Sequence, residues 1–380
     1  MEFTIEQPAL ARALRLVGRA VPARSTNPIA QTILVEAGPG QVRLTATDLE
    51  MALSTEVVAE VVVPGCAAVP GRLLGEYVAQ LPAAPLRLCL DAAKRRLQLQ
   101  CLRFRAEMAT VDPTAFPRPT HAGDGFSVSL DSGRLQAAIR RVAFAAARDT
   151  SRPVLTGVLF AFDLGGLTLV AADGFRLARA RLGEGGRPDC QLLVPAKAVV
   201  ELGRLLEEAP SACLLVDGEG RGLCVQLGET RLFSRLLEGS FPDVARVVPA
   251  EWRTRLTVET AAFRQAMRVA GLFGESGEAR PVLLEAKPNE VRLHARGDQS
   301  GEAEVELPAA HEGEPQSVLL NTRLLGDILD AATGPRLEVS WLTPQSPVVF
   351  KETSGVDAGD LWLAMPLHNP AINRPATEAA

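Results

Sequence analysis

The chain has little of what most catalytic sites are built from. Its 380 residues include four histidines and one tyrosine. The histidines (His121, His294, His311, His368) stand far apart, none with a second ligand type at helical spacing. No G-x-S-x-G elbow, Walker loop or H-E-x-x-H occurs. General-base and metal chemistry therefore have few candidates, and neither a cofactor nor a metal site is expected. The six cysteines (Cys66, Cys89, Cys101, Cys190, Cys213, Cys224) include no C-x-x-C pair and fall mostly in apolar runs. Buried or half-buried thiols are expected rather than zinc ligands or disulfides. Nowhere do eighteen apolar residues run together, and "MEFTIEQPALARAL" lacks the basic segment and apolar core of a signal peptide. A soluble, cytoplasmic protein with no membrane partner is the expectation.

What is present describes an ordinary folded protein of two or three domains, with 47% hydrophobic and 22% charged residues over 380 positions. The formal charge of −5 gives no global electrostatic reason to suspect nucleic acid. Self-similarity is the stronger signal. "FTIEQPALARAL" at residue 3, "VSLDSGRLQAAI" at 128 and "LTVETAAFRQAM" at 256 share one plan, a strand, a turn and an amphipathic helix. An offset of 125 carries "LTATD" at 44 onto "LVAAD" at 169, "VPGRLL" at 69 onto "VPAKAV" at 194, and Phe116-Pro117 onto Phe241-Pro242. The third copy diverges but keeps the order, with "VRLHARGD", "LLNTRLLGDIL" and "LWLAMPL". Three units follow, 1–120, 126–250 and 254–367, with a polar, proline-containing segment 368–380 expected to be disordered. Within each unit short strands outnumber two amphipathic helices, which predicts an α+β domain with helices on one face of antiparallel sheets.

Positive charge gathers on the helices of all three units. Arg12, Arg15 and Arg19 lie on one stripe of the first, followed by Arg24. The second unit offers Arg134, Arg140, Arg141, Arg148 and Arg152 in the equivalent region, and the third Arg264 and Arg268. The second helix of each unit opens with a cation at the same repeat position, Arg72, Lys197 and Arg323. Guanidinium groups placed this way would meet phosphates without reading bases. These helices carry few aromatic residues for base stacking, Tyr77 and Phe263 being the exceptions, which argues against single-strand binding.

With these features in place, the chain resembles the bacterial DNA polymerase III β subunit family, the sliding clamps, from Phe3 to about Leu367. The most specific stretches are "RSTNPI" (24–29), "TATDLEM" (45–51), "ADGFRLA" (172–178), "LLEGSFPDVARVVP" (236–249) and "MPL" (365–367). The resemblance implies three similar domains in a half-ring, two subunits closing head to tail around duplex DNA, and a non-enzymatic processivity role. It places Arg24, Arg72, Arg148, Arg152 and Lys197 near DNA, although Asp149 and Pro153-Val154 depart from the family beside Arg148. It also implies a hydrophobic groove that receives short linear motifs from the replicative polymerase, clamp loader, ligase and repair polymerases. The matching positions are Leu155, Gly174, Phe175, Arg176, Leu177, Pro242, Arg246, Val247, Leu363, Ala364, Met365, Pro366 and Leu367. Flexible Met365 and small Gly174 suit a pocket for leucine and phenylalanine anchors. Phe175 replaces the family's usual His or Tyr, Ala172 replaces a common Thr, and the chain continues past "MPL".

Asp173 has a counterpart at Asp48, so it is expected to serve its turn through an Asx-type bond; Gly174 and Arg176 belong to the second unit alone. A dimer seam follows from charge. Lys94, Arg95, Arg96, Arg103 and Arg105 in the first unit face Asp298, Glu302, Glu304 and Glu306 in the third, on strands expected at sheet edges. The resemblance adds apolar seam contacts at Met108, Leu272 and Phe273. Two other readings stand beside the clamp: a paralogue specialised for repair or inhibitor resistance, and a phosphodiesterase-type enzyme using Asp173 and Arg176.

Overall fold

The computed structural model describes residues 1–119, 125–186, 189–217, 221–273, 280–297, 300–354 and 360–368. The α+β expectation holds: among the described residues, six α-helices stand with antiparallel sheets. The helices are α1 (Gln7–Val17), α2 (Gly71–Ala79), α3 (Ser132–Val142), α4 (Ala196–Leu205), α5 (Thr260–Ala270) and α6 (Thr322–Ala331). The repeat is visible in what they bury. Leu10, Leu14 and Val17 of α1 correspond to Leu135, Ile139 and Val142 of α3 and to Phe263, Met267 and Ala270 of α5. Each triplet spaces its members at i, i+4 and i+7, one stripe of a helix, and each stripe contributes roughly 5 kcal/mol of hydrophobic stabilisation.

The chain packs as two compact units, Met1–Gly133 with Arg204–Leu236, and Arg134–Gly203 with Leu237–Ala380. These do not coincide with the three repeats, because sheets run across the repeat boundaries. In the first unit, strand Thr230–Arg235 from the second repeat pairs with Met51–Val58 from the first, Ser234 opposite Met51. This joins an eight-stranded sheet; a five-stranded sheet accompanies it, with Phe104–Ala109 as one of its edges. In the second unit, Leu361–Ala364 from the third repeat pairs with Arg176–Leu182 from the second, Ala364 opposite Arg176. It belongs to a twelve-stranded sheet whose core includes Trp341, Trp362, Phe160 and Phe350, all fully buried. The indole of Trp362 donates to the Arg141 carbonyl at 2.9 Å. A buried Trp with its N–H satisfied adds packing area without a desolvation cost.

Candidate functional site

The best-defined site lies in the second unit, where strand Gly166–Ala172 turns into Arg176–Leu182. Asp173 Oδ1 accepts from the backbone N–H groups of Phe175 (2.9 Å) and Arg176 (3.0 Å). Its first-repeat counterpart, Asp48, accepts from Glu50 (3.1 Å) and Met51 (2.7 Å). The shared aspartate is a turn-former in both places. Gly174 sits at φ +92°, and a Cβ there would meet nothing closer than an Arg152 guanidinium nitrogen at 3.9 Å. Its smallness is therefore not what the pocket uses; the left-handed backbone is what requires glycine.

Arg176 behaves differently from a groove-lining cation. Only 8% of its side chain is exposed. Its Nε donates to Asp173 Oδ2 at 3.0 Å, its guanidinium also pairs with Asp327 of α6, and it lies 5.2 Å from the Phe144 ring centre. Burial makes such pairing obligatory, since an uncompensated guanidinium would lose its hydration for nothing. The same arrangement occupies both Asp173 carboxylate oxygens, which removes the free base that the phosphodiesterase reading needs.

The remaining predicted groove residues divide by exposure. Leu155, Leu177, Leu363 and Ala364 are buried, whereas Phe175 is 66% exposed, Val247 43% exposed, and Pro242 and Arg246 are exposed. Met365, Pro366 and Leu367 are half-buried. The Met365 N–H donates to the Phe175 carbonyl at 2.8 Å, which fixes the C-terminal strand beside the turn. Arg246 pairs with Asp243 at 3.1 Å on the surface. Leu177 and Leu363 belong to an apolar cluster with Leu159, Val170, Leu193 and Val349. Half-buried Val154, Leu237, Phe241, Val244, Val248 and Met365 pack against it. Together they make an apolar surface that is partly open, suited to leucine and aromatic anchors. Of the half-buried residues, only Met365 figured in the sequence reading of the groove, alongside Leu177 and Leu363 of the cluster beneath. The Phe-Pro repeat landmark pointed at Phe241.

The cations also sort into two kinds. Arg24, Arg72, Arg148, Arg152 and Lys197 are exposed, as are Arg12 and Arg15 of α1 and Arg19 in the short turn Gly18–Ala20 that follows it. Arg72, Lys197 and Arg323 are each the second residue of their helix, α2, α4 and α6. Arg72 pairs with Glu76 at 2.8 Å, a bond that raises its pKa. Asp149, between Arg148 and Arg152, is held as a carboxylate because the Ser151 hydroxyl (2.6 Å) and N–H (3.0 Å) donate to it, lowering its pKa. Two arginines counted with the cationic helices are internal struts instead. Arg141 pairs with Glu352 (3.0 Å) and Asp360, its side chain 16% exposed. Arg264 donates to the carbonyls of Leu329 (2.6 Å) and Ala332 (2.7 Å), satisfying the open C-terminal end of α6.

At the expected seam, Arg96 begins strand Arg96–Cys101, Arg103 is exposed on the hairpin turn, and Arg105 is exposed in the edge strand Phe104–Ala109 itself. The strand Gly301–Gly313 is not an edge along its whole length. Residues 309–313 pair with Thr254–Glu259, while 301–308 pair with Glu290–Gly297. Among the described residues, 301–308 has no partner on its other side. Glu302, Glu304 and Glu306 alternate outward, but Arg292 reaches Glu304 at 2.9 Å and also pairs with Glu306, so part of the acidic face is neutralised internally. Met108 is 4% exposed within the chain itself and is not an open contact. It alternates with Arg105 and Glu107 and so points inward. Leu272 is 76% exposed and Phe273 half-buried; Leu102 (66%) and Phe104 (39%), which sequence reading passed over, supply exposed apolar surface on the arginine side. Asp298 and the segment 369–380 lie outside the described residues. Among the described residues no cluster of His, Cys, Asp and Glu could hold a metal ion, and no helix is long and apolar enough to cross a membrane.

A threefold α+β repeat joined through shared sheets, with exposed cations at equivalent helix starts and an apolar cleft at a repeat boundary, defines a clamp-type protein. Sequence comparison specifies it. Residues 1–120, 129–243 and 245–366 match the N-terminal, central and C-terminal domains of the DNA polymerase III beta subunit. The chain belongs to that family, a family of non-enzymatic processivity factors. It is 32% identical to the beta sliding clamp of Caulobacter vibrioides, over 97% of this chain and all of that one. It superimposes on the Bacillus subtilis sliding clamp with a TM-score of 0.92 at 23% identity, covering 97% and 99% of the two chains. A Pseudomonas aeruginosa sliding clamp bound to griselimycin matches at 27% identity and TM-score 0.90, over 97% of this chain and all of that one.

Proposed function

We propose that this chain is a DNA sliding clamp whose two copies close head to tail around duplex DNA, and whose apolar cleft captures short linear motifs of the replicative polymerase, clamp loader, ligase and repair polymerases. The observation that carries the reading is the repetition itself. Three copies of one unit present a cation at the second position of α2, α4 and α6, where a cation opposes the helix dipole instead of complementing it. An anion in front of those helix starts is favoured by the dipole and by the side chain together. Arg24, Arg148 and Arg152 add phosphate contacts that carry no base readout. The three repeats correspond to three clamp domains of a half-ring, with 368–380 as an appended tail.

The ring would work through retention rather than affinity. A polymerase tethered to a closed ring keeps a high effective concentration near its primer end, so each dissociation is followed by rebinding. The cleft supports the tether: a pre-formed apolar floor of Leu177 and Leu363, with exposed Phe175 and half-buried Met365 at its rim, binds an extended apolar motif with little ordering cost. The seam joins the edge strand carrying Arg105 to the open half-strand carrying Glu302 and Glu304, with Leu272, Phe273, Leu102 and Phe104 as apolar contacts. A cysteine pair at Arg105 and Glu304, oxidised after loading on nicked circular DNA, should give a covalent ring that survives high salt on the circle and slides off once the DNA is linearised. Equal escape from circular and linear DNA would sink the encirclement reading.

A further inference from the structure

The first unit contains a second cleft at the same repeat position as the apolar one, and its lining predicts a different ligand. The Arg235 N–H donates to the Glu50 carbonyl at 3.0 Å, as the Met365 N–H donates to that of Phe175 at 2.8 Å. Leu49 adopts φ +80° where Gly174 adopts φ +92°. Phe116-Pro117 stand where Phe241-Pro242 stand in the second repeat. The side chains have diverged. Phe116 is 3% exposed, packed with Ile29, Leu34 and Ala68, whereas Phe241 is half-buried. The chain thus fills the apolar half of its own cleft. What stays open is a cavity of about 300 Å³ over Met51, Leu223 and Phe233. Its rim carries the exposed cations Arg118, Arg221 and Arg235, with Arg235 in the place of Met365, against the carboxylates Glu50 and Asp217. Asp217 is engaged in its own turn, accepting from the Arg221 N–H at 2.7 Å, and Arg118 also reaches Glu36 at 3.2 Å.

We infer that this cleft is a second docking site, which takes an extended acidic peptide segment of a partner protein, with one apolar side chain entering the cavity and flanking carboxylates meeting Arg221 and Arg235. The volume admits one or two side chains, fewer than an apolar motif with paired Leu and Phe anchors needs. Guanidinium groups on a rim select carboxylates by bidentate, charge-assisted hydrogen bonds. The two clefts of one chain would then hold two segments of unlike chemistry without competition.

The test is fluorescence polarisation with two labelled probes, acetyl-Asp-Asp-Leu-Asp-Asp-amide and its lysine counterpart, on the full chain. The acidic probe should bind and the lysine probe should not. The double variant Arg221→Glu/Arg235→Glu, both at exposed positions, should weaken the acidic probe by roughly tenfold or more. Reversal at Arg72 and Lys197 should leave its binding unchanged, and an excess of unlabelled acetyl-Leu-Phe-amide, which carries the leucine and phenylalanine anchors suited to the first cleft, should not displace it. The inference is overturned if the acidic probe does not bind, if Arg221→Glu/Arg235→Glu leaves binding intact, or if the helix reversals or the apolar peptide abolish it. The apolar peptide's own binding reports on the first cleft separately.

Discussion

Removing the Arg176 guanidinium should destabilise the second unit more than any surface change. In Arg176→Met the apolar stem is kept, but Asp173 and Asp327 lose their shared cation, and the contact with the Phe144 ring loses its charge. Breaking a fully buried pair from one side costs about 3–5 kcal/mol. Here the carboxylates are not fully buried, at 18% exposure for Asp173 and 44% for Asp327, so solvent recovers part of the loss and roughly 2–3 kcal/mol remains. For a unit of this size that is a fall of roughly 5–10 °C in Tm. The assay is unusually clean, because all three tryptophans of the chain (Trp252, Trp341, Trp362) lie in the second unit. Tryptophan fluorescence during urea titration therefore reports that unit alone. Asp327→Asn should cost less, and the double variant should show a coupling of about 1 kcal/mol or more, since both changes act on one contact. Strict additivity, or a loss below about 0.5 kcal/mol for Arg176→Met, would refute the buried-network reading and return Arg176 to the open groove.

Gly174→Ala should cost about 1 kcal/mol from its left-handed backbone alone, since the space around it is open, and Gly174→Asn should recover much of that; urea midpoints with the same fluorescence signal decide it. Arg105→Glu should shift a dimer towards monomer in sedimentation velocity, and pairing it with Glu304→Arg should restore association; a mass indifferent to both removes these strands from the seam. Cys224 is buried, and that burial pushes its thiol up to about 11, so iodoacetamide at pH 8 should leave it unmodified in the folded chain while modifying it fully in urea. Rapid native labelling of Cys224, read by peptide mass, would contradict the packing around it.

The repeat and the helical faces were legible because they are local. Leu10, Leu14 and Val17 announce their stripe within two turns, and Asp48 and Asp173 announce their turns within three residues. Sheets that cross repeat boundaries were not legible, since pairing Ser234 with Met51 or Ala364 with Arg176 joins segments more than 180 residues apart. The arginines failed for the same reason. An arginine on a helix reads as solvated unless its partner is known, and the partners of Arg141 and Arg176 come from Glu352, Asp360 and Asp327. Met108 is the opposite case. The alternation in "FRAEMA" put it on the face away from Arg105, and the two-residue period alone was enough to mark it as interior.

The cations at the starts of α2, α4 and α6 allow function to be separated from stability by sign. A positive charge in the first turn of a helix costs about 0.3–1 kcal/mol against the dipole. Arg323 is the cleanest position, exposed, with its own N–H capped by the Asn321 side chain at 2.9 Å. Arg323→Gln keeps that backbone bond and removes the charge, so the folded chain should gain a few tenths of a kcal/mol in tryptophan-monitored urea unfolding. If these helix starts serve DNA, Arg72→Gln, Lys197→Gln and Arg323→Gln together should reduce the slope of log affinity against log salt by about one for each phosphate that is no longer neutralised. A residue kept for packing would lower the urea midpoint and leave the salt slope where it was. Stability unchanged or raised while the salt slope falls is the outcome that only a phosphate-facing role produces, and a lowered urea midpoint with an unaltered slope would assign these cations to the fold instead.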